Sequence, residues 1–235
     1  MYGEHKAPFE FERGALIIST EETEEGLNYH REYEDNIIDK TIFSKGKNIV
    51  INPIEPLNTP KVLTSTLLIE MDKPLVLEPN NKKRIYLTYP LEIGVFVKDK
   101  KQHKDIDIFT LVKNKYTLYG DVKTGTICKY WKSDLYTSKP SPDPLHLGVL
   151  ELQLYNSADE WIEVTKSVFN AYGMVMFYDR ELVYMRCQMK IVGENRFATQ
   201  FLTKPLREDM KKSLEVFEKK LHHLKGVRFI MDGGM

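Results

Sequence analysis

The sequence predicts a mostly β protein: sandwich-like antiparallel sheets in two closely packed units, with one C-terminal amphipathic helix. Three observations carry this. Short apolar or alternating runs recur along the chain, bounded by Gly, Pro, Asn and Asp about every ten residues, the spacing of sandwiches and barrels and not of βαβ units. The run 183–191 alternates strictly, with Val183, Met185, Cys187, Met189 and Ile191 on one face and Tyr184, Arg186, Gln188 and Lys190 on the other, as a half-buried strand requires. Helical periodicity is convincing only after residue 205.

In order, the runs are ALIIS (15–19), NIVIN (48–52), TLLIEM (66–71), RIYLTY (84–89), LEIGVFV (91–97), DIDIFTLV (105–112), YTLY (116–119) and TICKYW (126–131). VLELQLY, EWIEVTKSV, GMVMFY, LVYMRCQMKIV and RFATQFL continue the series. No period of roughly 20–50 residues repeats, which excludes a propeller or solenoid. Between the two groups lies TSKPSPDPLHLG (137–148), where Pro140, Pro142 and Pro144 remove donors and fix φ, so no central strand runs through it. This segment separates a sandwich-like unit 1–139 from a second unit 140–235, or is a crossover loop within one large β domain, 1–235. At the end of the chain Leu206, Met210, Leu214, Phe217, Leu221 and Leu224 fall within an arc about 80° wide at about 100° per residue. Pro205 suits the first turn of that helix and Gly226 its C′ stop. Its stripe, 206–225, docks on a sheet or on a second subunit.

Composition narrows the function classes. The chain has 235 residues, 34 Lys plus Arg against 34 Asp plus Glu, and 42% hydrophobic residues. It is therefore large enough for a core and lacks the basic surplus of a typical nucleic-acid-binding domain. The charge is nonetheless uneven: residues 1–40 carry 11 acids against 4 bases, net −7, and residues 98–132 carry 9 lysines against 4 aspartates, net +5. No apolar run approaches the roughly 20 residues of a membrane span. The opening MYGEHKAPFEFERG has no secretory leader pattern. Two cysteines, Cys128 and Cys187, with no C-x-x-C spacing, fit a reduced, cytoplasmic interior.

The most distinctive stretch is KYTLYGDVKTGTICKYWKSDLY, 115–136. Paired as a hairpin, it places an aromatic and a lysine on both faces, where a strand with one buried face segregates these types. An edge or protruding hairpin follows. Tyr116, Tyr119, Lys129, Tyr130, Trp131 and Lys132 are its candidate binding residues, since Trp, Tyr and long cations are favoured at interface hot spots. They also suit single-stranded nucleic acid. The bland alternative is a sheet with lysine stems lying past its aromatics.

Other leads are thinner. His103, Asp105 and Asp107 share one strand face, neighbours roughly 6.6 Å apart, so adjacent members can share a divalent ion; the alternative is a solvated strand face. Glu92 is the only ionisable group in PLEIGVFV; buried, it would need a partner or a raised pKa. It is read as lining, with Gly94, the wet side of its strand. No nucleophile elbow, phosphate loop or dinucleotide fingerprint occurs.

The segments LLIEMDKPLVLEPNNKKRIYLTYPLEIGVFV and IDIFTLVKNKYTLYGDVKTGTICKYWKSD resemble an archaeal family known only as a domain of unknown function. The resemblance covers nearly the whole chain and implies an intracellular archaeal protein. It carries over no activity and no catalytic residue.

The function expected is a soluble intracellular binding or adaptor module that engages a protein partner through hairpin 115–136. A metal-assisted enzyme centred on His103, Asp105 and Asp107, with Glu92 or Asp134 assisting, is the rival; single-stranded nucleic-acid binding is the third reading. No cofactor is expected beyond a divalent metal in the rival case. The interface reading expects Trp131→Ala and Lys129→Glu to lose a partner without loss of fold.

Overall fold

The computed structural model describes residues 1–59, 62–99, 102–193, 196–216 and 229–232. Its first strands are β1 (Gly3–Lys6), β2 (Phe9–Arg13), β3 (Leu16–Thr23), β4 (Gly26–Tyr33), β5 (Asn36–Phe43) and β6 (Asn48–Ile54). Then come β7 (Thr66–Leu77), β8 (Lys82–Pro90), β9 (Glu92–Asp99), β10 (Gln102–Phe109), β11 (Tyr116–Tyr119), β12 (Thr126–Ser133) and β13 (Leu147–Asn156). The last are β14 (Ile162–Asn170), β15 (Met176–Tyr178), β16 (Val183–Gly193), β17 (Arg196–Leu202), β18 (Lys211–Lys212) and β19 (Phe229–Asp232). The chain is mostly β, as expected. It divides into two compact units, 1–52 with 93–108 and 53–92 with 109–235. Residues 137–148, the expected junction, lie within the second unit.

In the first unit the acidic N-terminal stretch forms a meander, β2-β3-β4-β5, while β6 pairs with β1 and β9, and β9 with β10. Alternation fixes the inward side: Leu16, Ile18, Leu27 and Tyr29 are buried. Arg31 is buried too and donates to Asp107 on β10 at 2.5 Å.

The second unit holds two sheets, β11-β12-β7-β14 and β18-β15-β16-β13-β8, with β17 also on β16. Neither is wholly antiparallel, which corrects that expectation: β12 runs parallel to β7 and β13 parallel to β16. Parallel neighbours need long crossovers, and here those crossovers are built of strands, which local pattern does not disclose. Pro74 lies in β7 opposite the shift in register between Val164 and Lys166, where the ladder does not need its missing donor. Side chains of the two sheets pack against each other. Val183, Met185, Cys187, Met189 and Ile191 are all buried on the inner face of β16, as the alternation predicts. Phe201 of β17 meets Phe169 of β14 with ring centroids 5.9 Å apart. Phe197 packs against Leu68, Tyr119, Cys128 and Val168. Each fully buried side chain of this size contributes about 1.5–3 kcal/mol.

The C-terminal helix is not formed where the structure describes its residues. At 206–216 the chain bends, and Lys211 and Lys212 pair with Tyr178 and Phe177 of β15. Leu206 and Met210 reach the core without a helix, packing against the cluster of Val149, Val175, Phe177 and Tyr184. A Ser213 N–H bond to the Met176 carbonyl at 2.9 Å fastens the segment. Helix propensity is a weak prior that such pairing overrides. The rest of the expected stripe, 217–225, lies outside the described residues, so the dimer face expected over 206–225 has no helix under its first half. Among the described residues the one helical turn is a 3-10 turn at Ala171–Gly173, and no helix is long and apolar enough to cross a membrane.

Candidate functional site

The 115–136 segment is the antiparallel hairpin its pattern implied, with Tyr116 opposite Lys129 and Leu118 opposite Ile127. Gly120, at φ +93°, starts the turn; Asp121 closes it by accepting from the N–H groups of Lys123 and Thr124. The two strands have different fates. Among the described residues β11 is a sheet edge, paired on one side only, while β12 is interior between β11 and β7.

The hairpin's faces differ as well. On one, Tyr119 and Cys128 are core, and Tyr130 packs beside them with its hydroxyl donating to Glu70 at 3.1 Å. Burial raises the pKa of Tyr119 and Tyr130, and pushes the Cys128 thiol up to about 11. Lys132 is exposed. On the other face Trp131 is half-buried and donates its indole N–H to Thr88 Oγ1 at 3.3 Å, tying β12 to β8 in the facing sheet. Tyr116 is 37% exposed, Leu118 42% and Ile127 55%; Val122 at the tip is 91% exposed. The six residues named from sequence therefore do not form one surface. Tyr119, Tyr130 and Trp131 hold the sandwich together, and Tyr116 and Lys132 reach solvent.

Lys129 is the largest departure: it is no surface cation. Its ammonium lies 2.7 Å from Glu92 Oε1, with both side chains buried. Glu92, placed on the wet side of its strand by alternation, is fully buried. Among the described residues its carboxylate accepts four hydrogen bonds. Asn58 N–H donates at 2.8 Å, Thr59 N–H at 3.1 Å, Thr59 Oγ1 at 2.8 Å and Lys129 at 2.7 Å. Burial holds the Lys129 pKa below its ordinary value, against the opposing pull of Glu92. Tyr116 closes this network from outside, its hydroxyl donating to the Thr59 carbonyl at 3.0 Å. Asn114 donates to Thr59 Oγ1 at 3.3 Å. The carboxylate and ammonium are spent on each other and on the backbone, so they act as a pin under the hairpin. Thr59 and Asn114 carry no sequence signal that would have singled them out.

His103, Asp105 and Asp107 sit on β10, in the first unit. Asp107 Oδ2 accepts from Tyr29 at 2.9 Å and from Arg31. Asp105 is exposed beside Lys104, 3.3 Å away. Among the described residues no group of three or more His, Cys, Asp or Glu is arranged to hold a metal ion. Asp134 is exposed and accepts from Tyr136.

These features define a mostly β protein with mixed sheets, in which a hairpin with an edge strand lies over a buried ion pair. The chain belongs to the family described as "Protein of unknown function (DUF432)", whose model matches residues 1–232. No curated protein and no solved structure matches it.

Proposed function

We propose that the chain is a protein-binding module that takes up an extended segment of its partner along the open edge of β11. The observation that carries this reading is the coincidence of two kinds of exposure at the same residues. Tyr130 N–H donates to the Lys115 carbonyl at 2.8 Å, so residues 115, 117 and 119 turn their main-chain groups towards β12. Antiparallel ladders alternate, and Tyr116 and Leu118 therefore turn theirs outward. Their side chains, with Ile127, form an exposed apolar face beside that edge. Bare edges with apolar flanks invite a further strand. Lys113, Lys115 and Lys123 are exposed around the hairpin, which favours a partner segment that alternates apolar and acidic residues.

Peptide display tests this. Random twelve-residue peptides panned against the protein should enrich for apolar–acidic alternation. Ile127→Glu should then weaken the enriched peptide about tenfold or more, with an unchanged circular dichroism spectrum. Enrichment of no common pattern, or binding indifferent to Ile127→Glu, overturns the reading.

A further inference from the structure

A second surface in the same unit has a different chemistry. The β8-β13-β16-β17 face that points away from the sandwich core is covered at one end by Val149, Tyr184 and their neighbours and open at the other. There it lines a shallow cavity of about 750 Å3. Register stacks Arg84, Gln153, Gln188 and Gln200 in one row across the four strands. In the next row Tyr155 lies between Lys82 and Lys190. The Lys82 ammonium sits 4.9 Å from the centre of the Tyr155 ring.

The row is oriented from below. Glu151, buried beside it, accepts from Tyr184 Oη at 2.7 Å and pairs with Arg186 Nε at 3.0 Å. A carboxylate only accepts, so Gln153 must turn its amide N–H to Glu151, which it does at 3.0 Å. The Gln153 oxygen then accepts from Gln188 at 3.1 Å, leaving the Gln188 oxygen directed onward as an acceptor. One buried carboxylate thus sets the sense of two amides, Gln153 half-buried and Gln188 exposed. Around them Lys82, Arg84 and Lys190 are exposed, and none forms an ion pair with a carboxylate among the described residues. Cations left without carboxylates call for an anion. Amide acceptors call for a ligand that also donates.

We propose that this face binds a nucleotide, its phosphate on Lys82, Arg84 and Lys190 and its base or sugar donors on the glutamine row. A nucleotide combines the two chemistries within the span of this cavity, whose volume lies in the range of small-ligand sites, roughly 300–1,000 Å3. An open sheet face with amides, cations and a ring is also how single strands are read. The nucleotide therefore comes either free or within a strand.

Isothermal titration with three probes separates these: ATP, a single-stranded dodecamer of uridylate, and inorganic pyrophosphate. ATP or the dodecamer should bind, and Arg84→Glu and Lys190→Glu should each weaken that probe about tenfold. Gln188→Leu should weaken it severalfold while leaving pyrophosphate unaffected, because it removes an acceptor and no charge. All three residues are exposed, so the variants should melt with the wild type. ATP binding without dodecamer binding identifies a free nucleotide. Dodecamer binding that falls steeply with salt, with ATP a poor competitor, identifies a strand. The proposal is overturned if neither probe binds at ~1 mM, or if Arg84→Glu binds as well as wild type. Pyrophosphate binding as tightly as ATP also overturns it, since the glutamine row would then recognise nothing. Ile127→Glu should leave all three titrations unchanged, which keeps this site separate from the hairpin edge.

Discussion

Lys129 and Glu92, 37 residues apart in sequence, meet at 2.7 Å in the interior of the second unit. Their pairing fixes what the hairpin can do. Removing either partner leaves an uncompensated charge out of water, a loss of about 3–5 kcal/mol, whereas removing both leaves none. Lys129→Met should destabilise strongly, and Glu92→Gln should do the same while its amide oxygen still accepts from Asn58 and Thr59. The double variant should regain at least half of the summed loss. Urea denaturation of the four proteins measures this. Additive single losses would mean that the pair does not stabilise the fold as a unit. Lys129→Glu, expected from sequence to spare the fold, instead sets two carboxylates in one buried site and should not fold.

The cysteines give a second expectation. Cys128 and Cys187 are free and buried, and burial pushes their thiols up to about 11 and about 12. A thiolate is the reactive form, so at pH 8 the folded protein should resist dithionitrobenzoate over hours. Two equivalents should react at once in denaturant. Rapid labelling of the folded chain would mean that the sandwich opens readily at β12 or β16.

Asn156 yields a third. It is fully buried, and its amide nitrogen faces the carbonyls of Leu77, Glu78 and Glu160 at 3.2, 3.0 and 2.9 Å. Its oxygen accepts from Ala158 N–H at 3.0 Å. Asn156→Asp keeps the shape but turns an acceptor towards three carbonyl oxygens. The loss should be at least the ~1–3 kcal/mol of unsatisfied buried groups and should shrink at acid pH, where the side chain regains a proton to donate. A melting temperature equal to wild type at pH 7 would contradict the assigned orientation.

Particular residues show what the sequence made legible. Strands were readable because alternation and breakers are local: Cys187 fell on the buried face predicted from its neighbours alone, and the two strands of the 115–136 segment pair as the hairpin its pattern implied. Long-range partners were not readable. Nothing near Glu92 announces that Lys129 covers it, and nothing in TICKYW says that β12 lies parallel to β7. The stripe beginning at Leu206 failed for a related reason. Met210 does bury and Leu206 packs beside it, but Lys211 and Lys212 complete a strand edge on β15, a demand made by the sheet and not by the segment. Gln153, Gln188 and Gln200 went unremarked because amides on alternate positions look like any solvated strand face until register lines them up.

Glu151, beneath that row, makes the last expectation one of pH. Burial pushes its pKa up, but the hydrogen bonds from Tyr184 and Gln153 and the Arg186 charge together outweigh it and hold the carboxyl below its ordinary 4.5. A carboxyl whose folded pKa is depressed contributes stability that is fully present above its unfolded value and is lost as pH falls through the folded one. The contribution of Glu151 should therefore be intact at pH 6 and fade below about pH 4.5. Glu151→Gln removes the titrating group, so its stability at pH 7 should be lower but should fall less steeply between pH 5 and 3. Urea midpoints across that range, compared with wild type, decide it. Parallel slopes for the two proteins would mean that Glu151 gains no proton in that window and that the charge of Arg186 does not hold it ionised. The same variant frees Gln153 from its fixed sense, so any nucleotide affinity on that face should drop at pH 7 even where the fold survives.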